Sequence, residues 1–204
     1  MVIALRTAEE AFHQTLRAFD LADQYQIPVI LLSDQYLADS AVTIKPYDFT
    51  EFRHYGYLSR SRSNHNGPGD KSYRRYEITS AGVSPRLIPG QIPGKIVLVD
   101  SDEHDESGHI TESAAVRNKM VAKRMRKFEH LKNEVQEPWF IGDEDCEVLL
   151  LAWGSVWGPV SEAVDMLNHE QDKKYGALVF GDIWPLPTSL LAEKAAGVKK
   201  IANI

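Results

Sequence analysis

Three short segments typical of strands, separated by two helical patterns, dominate the last third of the chain. The predicted strands lie at 148–152, 177–180 and 200–204, and the helical patterns lie between them at 160–168 and 188–196. The run 148–152 is apolar throughout and too short for a buried helix, which predicts a buried strand. Strands that alternate with helices form parallel sheets with right-handed crossovers. We therefore predict an α/β fold with a parallel sheet here.

The segment between the first of these strands and its helix is rich in glycine. It has the sequence Gly154-Ser155-Val156-Trp157-Gly158-Pro159. A glycine turn before a helix can bind phosphate through backbone amides. Because the segment lacks both the GxGxxG pattern and a Walker lysine, we favour a plain strand-to-helix turn.

The N-terminal part predicts one helix and one strand. Residues 7–10 have the form of a capping box, and apolar residues recur at helical spacing from 12 to 19, which predicts a helix over 8–25. The apolar run 28–32 predicts a strand buried on both faces. One helix and one strand cannot cover each other's apolar surfaces unaided. We therefore expect the chain to begin inside a domain.

The middle of the chain, residues 38 to about 98, has little apolar periodicity. Between Arg53 and Tyr76 it carries six Lys or Arg and one Asp, with four tyrosines among them. Arg and Tyr together offer phosphate contacts and stacking surfaces, which is typical of loops that bind single-stranded RNA. Residues 61–69 have too little apolar surface to pack, which is typical of a linker. We favour the linker.

An acidic segment at 100–112, DSDEHDESGHITE, holds six carboxylates and two histidines around one glycine. Oxygen ligands and neutral imidazoles together suit a metal or proton-transfer site. Metal-binding histidines on one helix lie four residues apart, whereas His104 and His109 are five apart, about 140° around a helix. We therefore favour a solvated turn, in which Ser107 or Thr111 caps the following helix.

A predicted strand at 95–100 precedes this turn, and a predicted helix from about Glu112 to Lys132 follows it. Four apolar residues at spacings of seven, four and three predict the buried stripe of this helix. They are Ala114, Val121, Met125 and Phe128. The other face is basic, which is typical of a solvated side, although it could attract an acidic partner protein. Its residues are Arg117, Lys119, Lys123, Arg124, Arg126 and Lys127.

Composition excludes several classes of protein. With 204 residues, 43% of them hydrophobic, the chain can bury one large core or two small ones, and its net charge of −6 argues against general nucleic-acid binding. The single cysteine, Cys146, excludes an internal disulfide and any Cys-only zinc or iron–sulfur site built by this chain alone. The N-terminus lacks the pattern of a signal peptide, and no apolar run approaches the roughly 20 residues of a membrane span. We expect a cytoplasmic protein without membrane contact.

A set of segments in order along almost the whole chain matches one family. The segments are Ala11-Phe12, Pro28 to Ser40, Arg75-Tyr76, Gly82 to Gly90, Asp102 to Glu112, Lys123 to Lys127, Gly154-Ser155, Gly158-Pro159, Trp184-Pro185 and Pro187. Together they resemble the alpha subunit of 2-oxoacid:ferredoxin oxidoreductases, nearest the 2-oxoglutarate type. Ala81, Ser107 and Val156-Trp157 depart from the common family pattern, which weakens the substrate assignment more than the family assignment.

The resemblance implies oxidative decarboxylation of a 2-oxoacid to its acyl-CoA, with electrons passing to ferredoxin. Residues 1–37 would end a thiamine-diphosphate pyrimidine-side domain, 38–144 would form a linker, and 145–204 would begin a domain like the C-terminal domain of transketolase. The YPITP-type and GPSTG-type segments that contact substrate and cofactor in the family do not occur here. We therefore expect a mainly structural fragment, inactive alone, with thiamine diphosphate and an iron–sulfur cluster held in a complete heteromer with a beta subunit.

Within this sequence we expect no catalytic, cofactor-binding or metal-binding residue. The candidates for anion or interdomain contacts are Ser84, Arg86, His104, Glu106 and His109. Arg86 follows a proline that can fix its backbone, and its guanidinium forks onto carboxylates; pairing with the acidic turn is an equal alternative. The turn with the two histidines is expected to brace the linker against the last domain.

Other interpretations remain open at the level of sequence. Incompletely covered sheets would expose apolar surface and favour self-association. A non-catalytic module could bind RNA or an acidic partner through the Arg/Tyr-rich loop. A metal-binding protein could be centred on residues 100–109.

Overall fold

The computed structural model describes residues 1–51, 73–88, 90, 94, 96–170 and 174–204. The chain divides into two compact units: the first comprises Met1–Ala22, Ile27–Phe49 and Glu134–Ile204, and the second comprises Asp23–Gln26 and Thr50–Asn133. The three-part division at residues 37 and 144 stays a prediction. Among the described residues, no helix combines the length and apolar character that a membrane crossing requires.

Seven strands and five α-helices lie in the described ranges. In chain order they are β1 (Val2–Ala4), α1 (Ala8–Tyr25), β2 (Ile30–Leu32), α2 (Gln35–Asp39), α3 (Ala114–Leu131), β3 (Trp139–Gly142), β4 (Val148–Trp153), α4 (Trp157–Glu170), β5 (Tyr175–Phe180), β6 (Asp182–Trp184), α5 (Ser189–Ala195) and β7 (Lys200–Asn203). Short 3₁₀ turns lie at Phe49–Glu51 and Gly154–Val156.

The larger sheet of the first unit has the strand order β3-β5-β4-β7. Strand β4 pairs in parallel with β5 on one side and with β7 on the other, while β3 pairs antiparallel with β5. The predicted α/β fold with parallel strands is therefore confirmed. Strand β3, which extends the sheet at its edge, is not predicted by the sequence pattern.

Alternate residues of β5 fill two cores, one on each face of this sheet. Ala177 and Val179 pack with residues of β4 and α4, whereas Leu178 and Phe180 pack with residues of β4 and α5. All four side chains are buried. Burial on both faces explains why this strand is apolar throughout instead of alternating.

The predicted turn at 154–159 is confirmed for Gly154–Val156 and wrong for 157–159, which lie in a helix. A 3₁₀ turn occupies Gly154–Val156 and α4 begins at Trp157, so Gly158 and Pro159 lie in the first turn of the helix. Proline is tolerated there because the first amides of a helix have no intrahelical acceptor.

The smaller sheet of the first unit has the order β2-β1-β6. Strand β1 pairs in parallel with β2 and antiparallel with β6. The sequence pattern predicts β2 but neither β1 nor β6, each of which has three residues. The prediction that 28–32 is buried on both faces is wrong, since Ile30 is 53% exposed. A strand at the edge of a sheet has one neighbour only and is covered less completely.

The predicted helix over 8–25 is confirmed, and its first turn explains part of its stability. The Thr7 hydroxyl accepts a hydrogen bond from the Glu10 amide at 3.0 Å, as a capping box requires. The Glu10 carboxylate instead accepts from the amide and guanidinium of Arg6. Arg6 is buried, and it also donates to the Val179 carbonyl at 3.2 Å and stacks over the ring of Trp139.

A second buried ion pair joins α1 to β6. Asp182 is 1% exposed, and both of its carboxylate oxygens accept hydrogen bonds from Arg17, at 2.8 and 2.7 Å. The amide of Gln136 donates to the same carboxylate at 2.8 Å, and Arg17 donates to the Glu134 carbonyl at 2.6 Å. The ion pair therefore connects three chain segments, which are α1, the segment 134–136 and β6.

The second unit contains α3 and the irregular segments before it. The predicted extent of α3 is confirmed, but its cap is Ser113, whose hydroxyl accepts from the Val116 amide, and neither Ser107 nor Thr111. The predicted strand at 95–100 is wrong over the described residues 96–100, where Ile96 is 81% and Val99 is 77% exposed. In the described chain, residues 96–100 belong to neither sheet. Their apolar character therefore does not reflect burial in a strand.

We expect Asp182→Ala to lower the free energy of unfolding by about 3–5 kcal/mol, because it leaves the Arg17 guanidinium without its buried counter-charge. Urea titration followed by far-ultraviolet circular dichroism measures the change. Asp165→Ala is the matched control, since Asp165 is exposed and its ion pair is with the exposed His169, and it should change stability by less than about 0.5 kcal/mol. Equal effects of the two substitutions would contradict the role given to Asp182.

Candidate functional site

All five residues proposed from the sequence as anion or interdomain contacts lie in the second unit. Ser84 donates through its hydroxyl to the Glu77 carbonyl at 3.0 Å and accepts at its own carbonyl from Gln26 at 2.7 Å. Glu106 accepts from the Ile78 amide at 2.8 Å and from Arg74 at 3.0 Å. These two side chains therefore hold the irregular segment 73–88 in place.

The acidic turn satisfies carboxylate oxygens with its own backbone. Asp105 accepts hydrogen bonds from the amides of Ser107 at 2.8 Å and His109 at 3.0 Å. Partial burial opposes ionisation, but these hydrogen bonds outweigh it and lower the pKa of Asp105. The ring of His104 stacks on Tyr76 at 3.9 Å between centroids, whereas His109 is exposed beside Asp105.

The described residues contain no group of three His, Cys, Asp or Glu side chains placed to hold a metal ion. The metal-binding interpretation of residues 100–109 therefore gains no support from the geometry. The Arg/Tyr-rich loop proposed for RNA binding lies mostly in 52–72, outside the described residues. The proposed brace between the turn and the last domain stays a prediction.

Gly108 is the residue that this turn requires to be glycine. Its φ is +93°, and a Cβ atom placed on it would lie 2.7 Å from the carbonyl oxygen of Leu98. The carbonyl belongs to the backbone and cannot rotate away as a side chain would. The histidine spacing around Gly108 thus follows from a tight turn and not from a shared ligand.

We expect Gly108→Ala to destabilise the protein by about 1–3 kcal/mol, because alanine is strained at this φ and its methyl group meets Leu98. Gly197→Ala is the control: the φ of Gly197 is not left-handed, and beyond its chain neighbours no heavy atom lies within 4 Å of the position that its methyl group would take, so it should change stability by less than about 0.5 kcal/mol. Thermal unfolding of both variants measures the difference. Equal losses of stability in the two variants would refute this role of Gly108.

Arg86 is the one arginine among the five candidates, and one of its donor atoms has no hydrogen-bond acceptor among the described residues. Its Nη2 donates to the Asp23 carbonyl at 3.2 Å and lies 3.4 Å from the Asp23 carboxylate. Its Nε is buried and has no hydrogen-bond partner among the described residues. A buried donor without an acceptor costs about 1–3 kcal/mol, so a guanidinium with a spare donor suits an incoming carboxylate. The ion pair with Asp23 replaces the pairing with the acidic turn that the sequence left open.

Two lysines of α3 that the sequence analysis placed on a solvated face are turned inward. Lys123 is 4% exposed and donates through Nζ to the Tyr76 carbonyl at 2.7 Å. Lys127 donates to the Gln26 carbonyl at 2.9 Å, at the C-terminal end of α1. No carboxylate of the described residues lies within salt-bridge distance of either. The two lysines are four residues apart and therefore lie on the same side of the helix, and this spacing is the sequence signal that could have identified them.

Burial lowers the pKa of both lysines to about 8. For Lys123, the neighbouring charges of Lys127 and Arg75 lower the pKa further, and Glu106 opposes them. For Lys127, the charges of Arg75 and Arg124 act in the same direction as burial. The second unit therefore carries two ammonium groups that lose their protons at mildly alkaline pH.

We expect the lysines to make stability rise with pH between about 8 and 10.5. In the unfolded chain their pKa returns to 10.5, so the unfolded state binds more protons in this window and the free energy of unfolding increases. The experiment compares urea unfolding of the wild type and Lys123→Met at pH 7.5, 9 and 10. The difference between them should change with pH, whereas Lys119→Met, at an exposed position, should run parallel to the wild type. A constant difference for Lys123→Met would refute the shifted pKa.

The carboxyl ends of four strands surround a cavity of about 340 Å³ in the first unit. Its lining is Leu5, Leu32, Ser33, Asp34, Trp153, Gly154, Ser155, Val156 and Ile204. The Asp34 carboxylate accepts from the Ser155 hydroxyl and from the Leu37 amide, and these bonds lower its pKa. A carboxylate at the start of the glycine segment repels phosphate, which agrees with the preference against a phosphate site there.

Comparison with known proteins assigns the family. A sequence model described as pyruvate flavodoxin/ferredoxin oxidoreductase, thiamine diphosphate-binding, matches residues 1–123. The alpha subunit of 2-oxoacid:ferredoxin oxidoreductase 2 from Aeropyrum pernix is 33% identical over all of this chain and 31% of its own length. The 2-oxoglutarate synthase subunit KorA from Methanothermobacter marburgensis is 26% identical, over 98% of this chain and 51% of its own.

A solved structure resembles the chain over almost its full length. It is 2-oxoglutarate:ferredoxin oxidoreductase from Magnetococcus marinus with 2-oxoglutarate, coenzyme A and succinyl-CoA bound, with a TM-score of 0.84, 29% identity and coverage of 99% of this chain and 34% of that one. The chain thus spans about a third of the length of the first relatives it matches. It belongs to the thiamine diphosphate-binding family of pyruvate flavodoxin/ferredoxin oxidoreductases, together with the alpha subunits of the 2-oxoacid:ferredoxin oxidoreductases.

Proposed function

We propose that this chain acts as part of the alpha subunit of a 2-oxoacid:ferredoxin oxidoreductase, with 2-oxoglutarate as the substrate. In this reaction the carboxylate leaves as carbon dioxide, the acyl group passes to the thiol sulfur of coenzyme A, and the released electron pair passes to ferredoxin. The observation that carries the proposal is the likeness of nearly the whole chain to an enzyme with 2-oxoglutarate and coenzyme A bound. We place the activity in the cytoplasm.

Thiamine diphosphate supplies the carbanion chemistry in such an enzyme, and its diphosphate needs a divalent metal and backbone or cationic donors. The described residues do not fit that end of the cofactor. They offer no group of three metal-ligating side chains. In the glycine segment at 154–156, Ser155 donates to the Asp34 carboxylate, whose negative charge repels a phosphate. We therefore assign the diphosphate to a part of the complete heteromer outside the described residues.

The iron–sulfur cluster is likewise assigned to another part of the heteromer. Such clusters are held by several cysteine thiolates, and this sequence has one cysteine. Cys146 is buried, and burial raises its pKa, which keeps it a thiol. A buried thiol is a poor metal ligand and a poor nucleophile. Cys146 thus serves as a small core side chain in this proposal.

Arg86 is the residue of this chain that we assign to the 2-oxoacid carboxylate. Its unsatisfied Nε supports this assignment, because the carboxylate would supply the acceptor that the described residues lack. Its backbone is held on both sides: Ser84 is fixed by Glu77, and the Leu87 amide donates to the Tyr73 hydroxyl at 3.2 Å. The described residues otherwise shape the fold and its interfaces.

The test is steady-state kinetics of the complete heteromer with Arg86→Lys. Lysine keeps the charge but not the forked donors, so kcat/KM for the 2-oxoacid should fall by about 10- to 100-fold while KM for coenzyme A stays unchanged. Arg74→Lys is the control, since Arg74 forms an exposed ion pair with Glu106. Unchanged 2-oxoacid kinetics would remove Arg86 from the site. A wild-type heteromer without 2-oxoacid-dependent ferredoxin reduction would contradict the proposed activity itself.

A further inference from the structure

Gln26, the residue that follows α1, has a backbone conformation that glutamine rarely adopts. Its φ is +51°, in the left-handed region that glycine and asparagine favour just after a helix. Within the described part of the chain, no other residue except glycine has a positive φ. A side chain at such a position strains the backbone, and the strain persists only where surrounding contacts offset it. The contacts of Gln26 therefore indicate what the side chain contributes.

The side-chain amide of Gln26 forms hydrogen bonds at both of its ends. Nε2 donates to the Ser84 carbonyl at 2.7 Å, and Oε1 accepts from the Arg75 guanidinium at 2.9 Å. Ser84 is 3% exposed, so its carbonyl needs a donor within the protein. Glycine at position 26 would relieve the backbone but would supply neither bond. Glutamine therefore ties the end of α1 to the segment that contains Ser84.

The end of α1 contacts this segment at two points around Arg86. The bond from Gln26 fixes the chain at Ser84, two residues before Arg86. Asp23, in the last turn of α1, accepts at its carbonyl from Nη2 of Arg86 at 3.2 Å. Pro85 joins the two points, and its ring restricts the backbone between them. The backbone before Arg86 and its guanidinium are thus both held by one helix end.

Gln26 is itself held in place by α3. Its backbone carbonyl accepts from Nζ of Lys127 at 2.9 Å, in addition to the two bonds of its side chain. Hydrogen bonds to both the backbone and the side chain leave the residue little freedom to move. A residue fixed in this way can hold a neighbouring binding group in one geometry.

We propose that Gln26 is a positioning residue for Arg86 in the binding of the 2-oxoacid carboxylate. This role rests on the proposed function, which assigns the carboxylate to Arg86. By fixing Ser84, Gln26 sets the position of the Arg86 backbone and hence the direction of Nε, the donor without an acceptor among the described residues. A misplacement of about 1 Å in such a group can lower turnover by about 100-fold. Gln26 itself touches neither substrate nor cofactor.

Two substitutions separate positioning from stability. Gln26→Gly removes both side-chain bonds but relieves the left-handed φ, so the melting temperature should stay within about 3 °C of the wild type. Gln26→Glu keeps an acceptor for Arg75 and gains a charge-assisted bond, but it replaces the donor to Ser84 with an oxygen that repels the carbonyl. Both variants should therefore fold and assemble while losing the bond that fixes Ser84.

The experiment is steady-state kinetics of the complete heteromer. We expect kcat/KM for 2-oxoglutarate to fall by about tenfold in both variants, with KM for coenzyme A unchanged. Gln26→Gly combined with Arg86→Lys should be within about twofold of Arg86→Lys alone, because a residue that acts through Arg86 adds no further loss once Arg86 is changed. Gln35→Glu is the control, the same chemical change at an exposed position of α2, and should leave the kinetics unchanged.

The outcomes separate this role from the proposed function. Losses that multiply in the double variant show that Gln26 acts independently of Arg86, which overturns the positioning role and leaves the proposed function standing. Unchanged 2-oxoglutarate kinetics in both single variants overturn it as well. Failure of both variants to fold or assemble assigns Gln26 to the fold alone and overturns it too. A wild-type heteromer that reduces no ferredoxin with a 2-oxoacid overturns the proposed function.

Discussion

The hydrogen bonds from Lys123 and Lys127 to backbone carbonyls set the arrangement of the second unit. Each ammonium group joins α3 to an irregular segment, at Tyr76 in one case and at Gln26 in the other. Gln26 follows α1 and has a φ of +51°, so Lys127 acts on the carbonyl end of that helix. Removing these cations from water is unfavourable, which is why the pKa of both is lowered. The same contacts turn Val121 and Met125 outward.

Charged side chains also connect segments of the first unit, but there the cations are paired with carboxylates. Arg6 and Arg17 are each matched by a carboxylate, Glu10 and Asp182, and both also bind backbone carbonyls. Burial would raise the pKa of Glu10, but its hydrogen bonds with Arg6 outweigh this and lower it. The first unit thus pairs its buried charges, whereas the two inward lysines of the second unit bind carbonyls instead of carboxylates. That difference explains why the lysines are expected to respond to alkaline pH.

Much of the fold followed from local patterns. The extents of α1 and α3, and the parallel pairing of β4, β5 and β7, were predictable because amphipathic spacing and continuous apolar runs are strong local signals. The short strands β1, β3 and β6 were not, since three or four residues carry too little pattern and owe their pairing to distant partners. Of the site, Arg86 was found as a candidate, but its unsatisfied Nε could not be read from its neighbours in sequence.

The sequence alone determined the α/β class, the order of the main elements and the resemblance to one enzyme family, because these depend on residue type and spacing. The tertiary structure alone decided which face of α3 is buried. An apolar stripe at positions 114, 121 and 125 predicts burial when hydrophobic transfer dominates, yet the lysines turn inward to donate to two backbone carbonyls. It also decided that the acidic turn satisfies Asp105 with its own amides, since that requires the left-handed φ of Gly108 and the close approach of Leu98. Local periodicity reveals neither outcome, because the lysine hydrogen bonds join residues far apart in the sequence and the hydrogen bonds of Asp105 depend on the backbone conformation of the turn.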